Sequence, residues 1–145
     1  MTDVDAIARA LTTDMTIDIV TTGRRSGQPR TTEIWFMNLD GRIIICGTLG
    51  SITTNRRYSP RDWLANLKAT PEFVFRFKES IDAEVPARAC EVTDPQDRRW
   101  IFSHDATDWY RRQEDTLDTL VEFGPVVEVW FDEPFDHLTP APRPT

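Results

Sequence analysis

Hydrophobic and polar positions alternate in two stretches of the chain. From Thr16 to Thr22, Ile17 and Ile19 alternate with Thr16 and Asp18. From Glu72 to Lys78, Phe73, Phe75 and Phe77 fall on one side and Val74, Arg76 and Lys78 on the other. A period of two marks a half-buried strand. Arg30 to Leu39 is rich in β-branched and aromatic residues and leads into Asp40-Gly41, a hairpin signal. The returning strand, Arg42 to Gly47, is apolar on both faces and is expected to be central. Ile81 to Thr93 predicts another strand, with Pro86 at a bulge or an edge position. Val126 to Phe131 predicts the last.

Helical patterns occupy Asp3 to Leu11, Asp62 to Ala69, Asp94-Pro95 to about His104, and Thr107 to Phe123, which Gly124-Pro125 ends. The second has a start signal: Ser59 as N-cap, Pro60 at the first helical position and Asp62 as capping-box partner. The segment 134–145 holds four prolines and reads as an irregular tail behind a single domain over 1–133. About six strands, an early hairpin, and helices inserted between strands predict an α+β fold, mainly β. The expected architecture is a partly open antiparallel barrel. The hairpin disfavours a parallel sheet.

Composition removes several function classes. With 24 acids against 17 bases the net charge is -7, which argues against a dedicated nucleic-acid binder. The longest strongly apolar run, Ile43 to Cys46, is far too short to span a membrane. The N-terminal MTDVDAIARAL carries acids where an export signal carries Lys or Arg, so a cytoplasmic protein is expected. Cys46 and Cys90 lie in predicted strands with no C-x-x-C spacing and read as small buried hydrophobes. His104 and His137 stand alone, and no Cys, His, Asp or Glu cluster has the spacing of metal ligands. If the chain is an enzyme, a group other than its own side chains supplies the reactive atom.

The charge is unevenly placed. Seven arginines (Arg24, Arg25, Arg30, Arg42, Arg56, Arg57, Arg61) and two acids lie between Thr21 and Arg61, about +5, which leaves about -12 elsewhere. A basic zone in an acidic chain points to an anionic ligand, unless distant acids neutralise it. Within it, GRRSGQPR sets three guanidinium groups, a hydroxyl and two glycines in eight residues. Arginine forks match phosphate or carboxylate oxygens, and glycines let backbone N–H groups approach them. The pattern is neither a Walker loop nor G-x-G-x-x-G. Arg56, Arg57 and Arg61 precede a helix start and either extend the cationic groove or form a solvated face.

TTGRRSGQPRTTEIWF, NLDGRIIICGT and SPRDWLANLKATPEFVF together resemble the deazaflavin-dependent nitroreductase family, also called the nitroreductase/quinone reductase family, over about residues 16–93. The resemblance implies the split β-barrel of pyridoxamine-phosphate-oxidase-like flavoproteins and a reductase using the deazaflavin coenzyme F420, with its anionic phospholactyl-oligoglutamate tail. By similarity Arg24, Arg25, Ser26, Gln28, Pro29, Arg30 and Thr31 would line the tail site. Cys46, Gly47 and Thr48 would approach the ring with backbone groups, and Trp63 and Asn66 would lie on the cofactor side of their helix. Trp63 equally fits a core stripe with Leu64 and Leu67, and Asn66 a local backbone hydrogen bond. The implied acceptors are quinones, nitro-aromatics or similar electron-poor molecules, walled by Trp35, Trp109 or Tyr110. Tyr110 and Ser51 are the named proton-donor candidates, beside Tyr58 and water. Two departures stand out: Leu64 follows Trp63 where relatives often carry tyrosine, and the loop Gly50 to Tyr58 is longer than usual. The alternatives are an FMN-dependent split-barrel reductase and a non-catalytic binder of an anionic small molecule or lipid. A homodimer is expected from the same resemblance.

Overall fold

The phenylalanine stripe is the spine of the observed sheet. We describe a computed structural model over residues 3–47, 62–112 and 116–140. Its elements are α1 (Val4–Thr13), β1 (Thr16–Thr22), β2 (Pro29–Trp35), β3 (Met37–Leu39), β4 (Arg42–Cys46), α2 (Asp62–Ala69), β5 (Glu72–Phe77) and β6 (Ala83–Glu91). They continue with α3 (Pro95–Ser103), a 3-10 turn (Asp105–Thr107), α4 (Asp108–Arg112), α5 (Leu117–Phe123), β7 (Val126–Phe131) and a second 3-10 turn (Asp136–Leu138). The seven strands form one antiparallel sheet in the order β2-β1-β5-β6-β7-β4-β3, which curls so that β2 comes near β4. This is the predicted α+β split barrel, with seven strands rather than about six.

The extra strand arises at Phe36. The run predicted as one strand over 30–39 breaks there, because the Phe36 N–H donates to the Met15 carbonyl at 2.9 Å while its ring enters the core. β2 then stays with β1, and β3 crosses to pair with β4. Asp40 and Gly41 turn β3 into β4 with φ of 55° and 97°, the paired positive values of a type I′ turn. Pro86 corrects a second expectation. β6 lies inside the sheet, its register with β5 runs unbroken through Val74↔Pro86, and the Pro86 carbonyl accepts from the Asp132 N–H just beyond the end of β7. The missing proline N–H therefore costs no interior ladder bond.

Two apolar clusters sandwich the sheet. Phe36, Phe73, Phe75, Phe77 and Phe131 fill the concave side, closed by Ile7 and Leu11 of α1 and by Trp63 and Leu67 of α2. Ile44, Cys46 and Val126 face the other way, under Ile101 and Phe102 of α3, Tyr110 of α4 and Leu120 of α5. Alternation along β4 sends Ile43 and Ile45 to the first cluster and Ile44 and Cys46 to the second, so the strand is apolar on both faces. The single helix predicted over 107–123 is resolved into a 3-10 turn, α4 and α5. Phe135 belongs to the first cluster, and the Thr139 hydroxyl accepts from the Phe131 N–H at 3.3 Å, so the chain packs on the sheet beyond residue 134.

Candidate functional site

GRRSGQPR is the loop that joins β1 to β2, and its fold follows from its glycines. Gly23 donates to the Gln28 carbonyl and accepts from the Gly27 N–H, both at 2.8 Å, and Gly27 sits at φ 69°. A Cβ on Gly23 would lie 2.6 Å from Ser26 Oγ, 3.2 Å from the Gln28 carbonyl oxygen and 3.5 Å from Arg30 Nε. The loop thus folds back over a position where a Cβ would be crowded, and Ser26 Oγ accepts from the Gln28 N–H at 3.2 Å. Residues 24–31 are all exposed.

The three arginines of the loop have different surroundings. Arg24 is tied to α2: its backbone N–H and Nη1 both donate to Asn66 Oδ1, at 3.0 and 3.3 Å, and Nη2 reaches Asp62 Oδ1 at 3.4 Å. Asp62 and Asn66 are four residues apart and therefore share a helix face. Arg25 and Arg30 carry no ion pair among the described residues. Arg42, counted in the same basic segment, is not part of this surface. It is buried, with Nη2 at 2.6 Å from Glu128 Oε1 and Nη1 at 2.8 Å from Asp97 Oδ1. Distant acids have neutralised it, as the alternative reading of the segment allowed. Arg56, Arg57 and Arg61, with Thr48, Ser51 and Tyr58, lie outside the described residues.

The remaining expected site residues separate by depth. Trp63 is buried in the concave cluster with Leu64 and Leu67. Asn66 is also buried, between Arg24 and Thr21. Gly47 ends β4 against Pro125 and Trp63, its N–H already donating to the Pro125 carbonyl at 3.0 Å, and an added Cβ would meet Pro125 Cγ at 3.0 Å. Cys46 points to the opposite face of the sheet, beside Tyr110. Burial pushes the Cys46 thiol well above its ordinary range, and the Tyr110 hydroxyl offsets part of that rise. Burial, and then the neighbouring Cys46, likewise raise the Tyr110 phenol, which lies 4.0 Å from Met37 Sδ. Both groups hold their protons at neutral pH.

Trp35, Trp109 and Tyr110 come together. The Trp109 ring meets Trp35 and Tyr110 edge-on, each at 5.1 Å between centroids, and is itself 40 % exposed. Trp109 is the exposed member of the group, while Tyr110 is buried beneath it. Sequence reading missed Asp62 and Thr21 as parts of the hairpin's support, and Gly23 as its fulcrum. For Asp62 the signal was present in its i, i+4 relation to Asn66; the other two depend on contacts no local pattern records.

Solved structures share this architecture. A candidate 5-nitroimidazole antibiotic resistance protein from Bacteroides thetaiotaomicron superposes with a TM-score of 0.62 at 13 % identity, covering 92 % of this chain and 82 % of that one. A candidate pyridoxamine 5'-phosphate oxidase from Listeria innocua gives 0.59 at 12 %, covering 90 % and 94 %. An F420-H2 dependent reductase, FDR-A, gives 0.52 at 20 %, covering 80 % and 94 %. At these identities they speak for the fold. The sequence model of the F420H(2)-dependent quinone reductase family matches residues 2–123, most of the chain. The expectation drawn from the arginine loop and its flanking strands therefore holds at family level: this chain belongs to the F420H(2)-dependent quinone reductases, a family of F420-dependent oxidoreductases.

Proposed function

We propose that the chain carries a hydride from reduced F420 to a quinone, a nitro-aromatic or a similarly electron-poor acceptor, with the cofactor's anionic tail held by the β1–β2 hairpin. The observation that carries this reading is the pair Arg25 and Arg30, exposed, without an ion pair among the described residues, in a chain of net charge -7. Their guanidinium forks and the Ser26 hydroxyl fit a ligand bearing phosphate and carboxylate oxygens. Gln28, Pro29 and Thr31 continue the same exposed surface. F420H2, when bound, supplies the hydride from its ring carbon.

The chain's own part is binding, orientation and exclusion of water. Gly47 sets the end of β4 tightly against Pro125 and Trp63, a rigid wall beside which a flat ring can lie. Trp109 and Trp35 offer faces and edges for an aromatic acceptor. Tyr110 keeps its proton on Oη, and with Ser51 it remains our candidate for the group that delivers a proton alongside the hydride. Pairing of two copies belongs to the same proposal. Val20 and Val74, opposite each other on β1 and β5, are half-buried beside an exposed Pro86 and make a small apolar patch suited to a second copy. A cytoplasmic location is part of the same proposal; among the described residues no helix is long and apolar enough to cross a membrane.

The test is turnover. Purified protein with F420H2 and a soluble quinone or nitro-aromatic should oxidise the cofactor in proportion to enzyme. FMN with a nicotinamide reductant should not replace it. Turnover with FMN and none with F420H2 would overturn the proposal.

A further inference from the structure

We infer that Asn66 is a positioning residue: it does not touch the anionic ligand but fixes both ends of the arginine loop that does. The inference rests on the reading of the β1–β2 hairpin as the tail site. Asn66 is 5 % exposed, too deep to meet a ligand on the outer surface of the loop. Its amide is nevertheless engaged on both sides. Oδ1 accepts the Arg24 backbone N–H at 3.0 Å and Arg24 Nη1 at 3.3 Å, while Nδ2 donates to Thr21 Oγ1 at 3.4 Å. Thr21, 2 % exposed, donates its own hydroxyl to the Arg30 carbonyl at 3.4 Å. Arg24, Asn66, Thr21 and Arg30 thus form one relay across the mouth of the hairpin, where Thr21 and Arg30 are cross-strand partners.

The mounting of Asn66 explains why this relay can act as a latch. Trp63 and Leu67, which flank it on α2, are buried in the concave core, so the amide is carried by a helix that cannot swing. Asp62, one turn earlier, draws the Arg24 guanidinium toward the same helix. Arg24 is thereby spent on holding the loop, and Arg25 and Arg30 are left projecting from a fixed backbone. Without the latch the loop would sample other conformations, and apparent affinity falls in proportion to the competent fraction. A hairpin competent one-tenth of the time binds about tenfold more weakly.

The experiment compares Asn66→Ala and Asn66→Asp with the wild-type chain in two readouts. In the absence of cofactor, amide hydrogen exchange at Arg24 should accelerate at least about tenfold in Asn66→Ala and stay slow in Asn66→Asp, which keeps an acceptor for that N–H. In F420 titrations, Asn66→Ala should raise Kd about tenfold, while kcat at saturating F420H2 stays within about twofold of wild type. If Asn66→Ala does not fold, Thr21→Val removes the hydroxyl that orients the amide and should raise Kd about threefold. Unchanged Arg24 exchange, or faster exchange with unchanged Kd, overturns the positioning role. Failure of the wild-type chain itself to bind F420 overturns the tail reading instead, and Arg24 exchange then decides separately whether the latch exists.

Discussion

Arg42→Met tests how the fold disposes of charge. Arg42 donates Nε and Nη2 to Glu128, at 3.2 and 2.6 Å, and Nη1 and Nη2 to Asp97, at 2.8 and 2.9 Å. Its guanidinium also lies 5.1 Å from the centre of the Trp100 ring. The side chains of Arg42 and Glu128 are 8 % and 5 % exposed, so both charges depend on each other rather than on water. Methionine fills much of the aliphatic volume but leaves Glu128 buried and unpaired, at a cost of about 3–5 kcal/mol. That is a large share of the roughly 5–15 kcal/mol that holds a domain together. At about 2–4 °C per kcal/mol, Tm should fall by about 6–20 °C. The double variant Arg42→Met/Glu128→Leu removes both charges. It should recover to within about 2 kcal/mol of wild type, because Asp97, at 17 % exposure, can rehydrate. Urea melts with an unchanged m value, compared across wild type, Arg42→Met, Glu128→Leu and the double variant, give the coupling directly. A cost below about 1 kcal/mol for Arg42→Met, or additive costs in the double variant, would refute the reasoning.

Other predictions follow from single sites. Arg98, 7 % exposed, donates to the carbonyls of Val92, Leu120, Val121 and Gly124, so Arg98→Met should destabilise by about 3 kcal/mol or more in urea melts by taking the guanidinium donors from the Val92, Val121 and Gly124 carbonyls. Gly23→Ala places a methyl 3.2 Å from the Gln28 carbonyl and in collision with Ser26 Oγ, which must shift; F420 titration should show Kd raised about tenfold. Toward thiol reagents near pH 8, half-buried Cys90 should react first and Cys46 only on unfolding. Cys46 and Tyr110 are acids whose folded values are raised, so above their ordinary ranges the unfolded chain releases protons that the folded chain keeps. Stability measured by urea melts should therefore fall as pH rises past about 9, with a slope of up to ~1.4 kcal/mol per pH unit for each group, and a flat profile would contradict their burial.

What could be read in the sequence was whatever is written locally. The period of β1 and the Gly124-Pro125 boundary before β7 fixed Thr16–Thr22 and Val126–Phe131 to the residue. The break at Phe36 was hidden, since an aromatic residue that bends the chain into the core looks the same as one that continues a strand. The arginine loop was legible because its chemistry is contiguous. Its internal division of labour was not: Arg24 meets Asn66 across 42 positions, and Arg42 meets Glu128 across 86. Local charge reports how many guanidinium groups are present, while only the fold determines which of them acids have claimed.

The central claim is that Arg25 and Arg30 grip a polyanion, and an F420 titration read by the cofactor's fluorescence tests it most directly. Wild type, Arg25→Ala/Arg30→Ala and the control Arg99→Ala, whose exposed side chain on α3 pairs with Asp118 of α5, should be compared at low and high salt. We expect the double variant to lose about 30-fold in affinity, roughly 2 kcal/mol, and most of the salt dependence, with the control unchanged. Equal affinity and equal salt dependence in all three proteins would contradict the account.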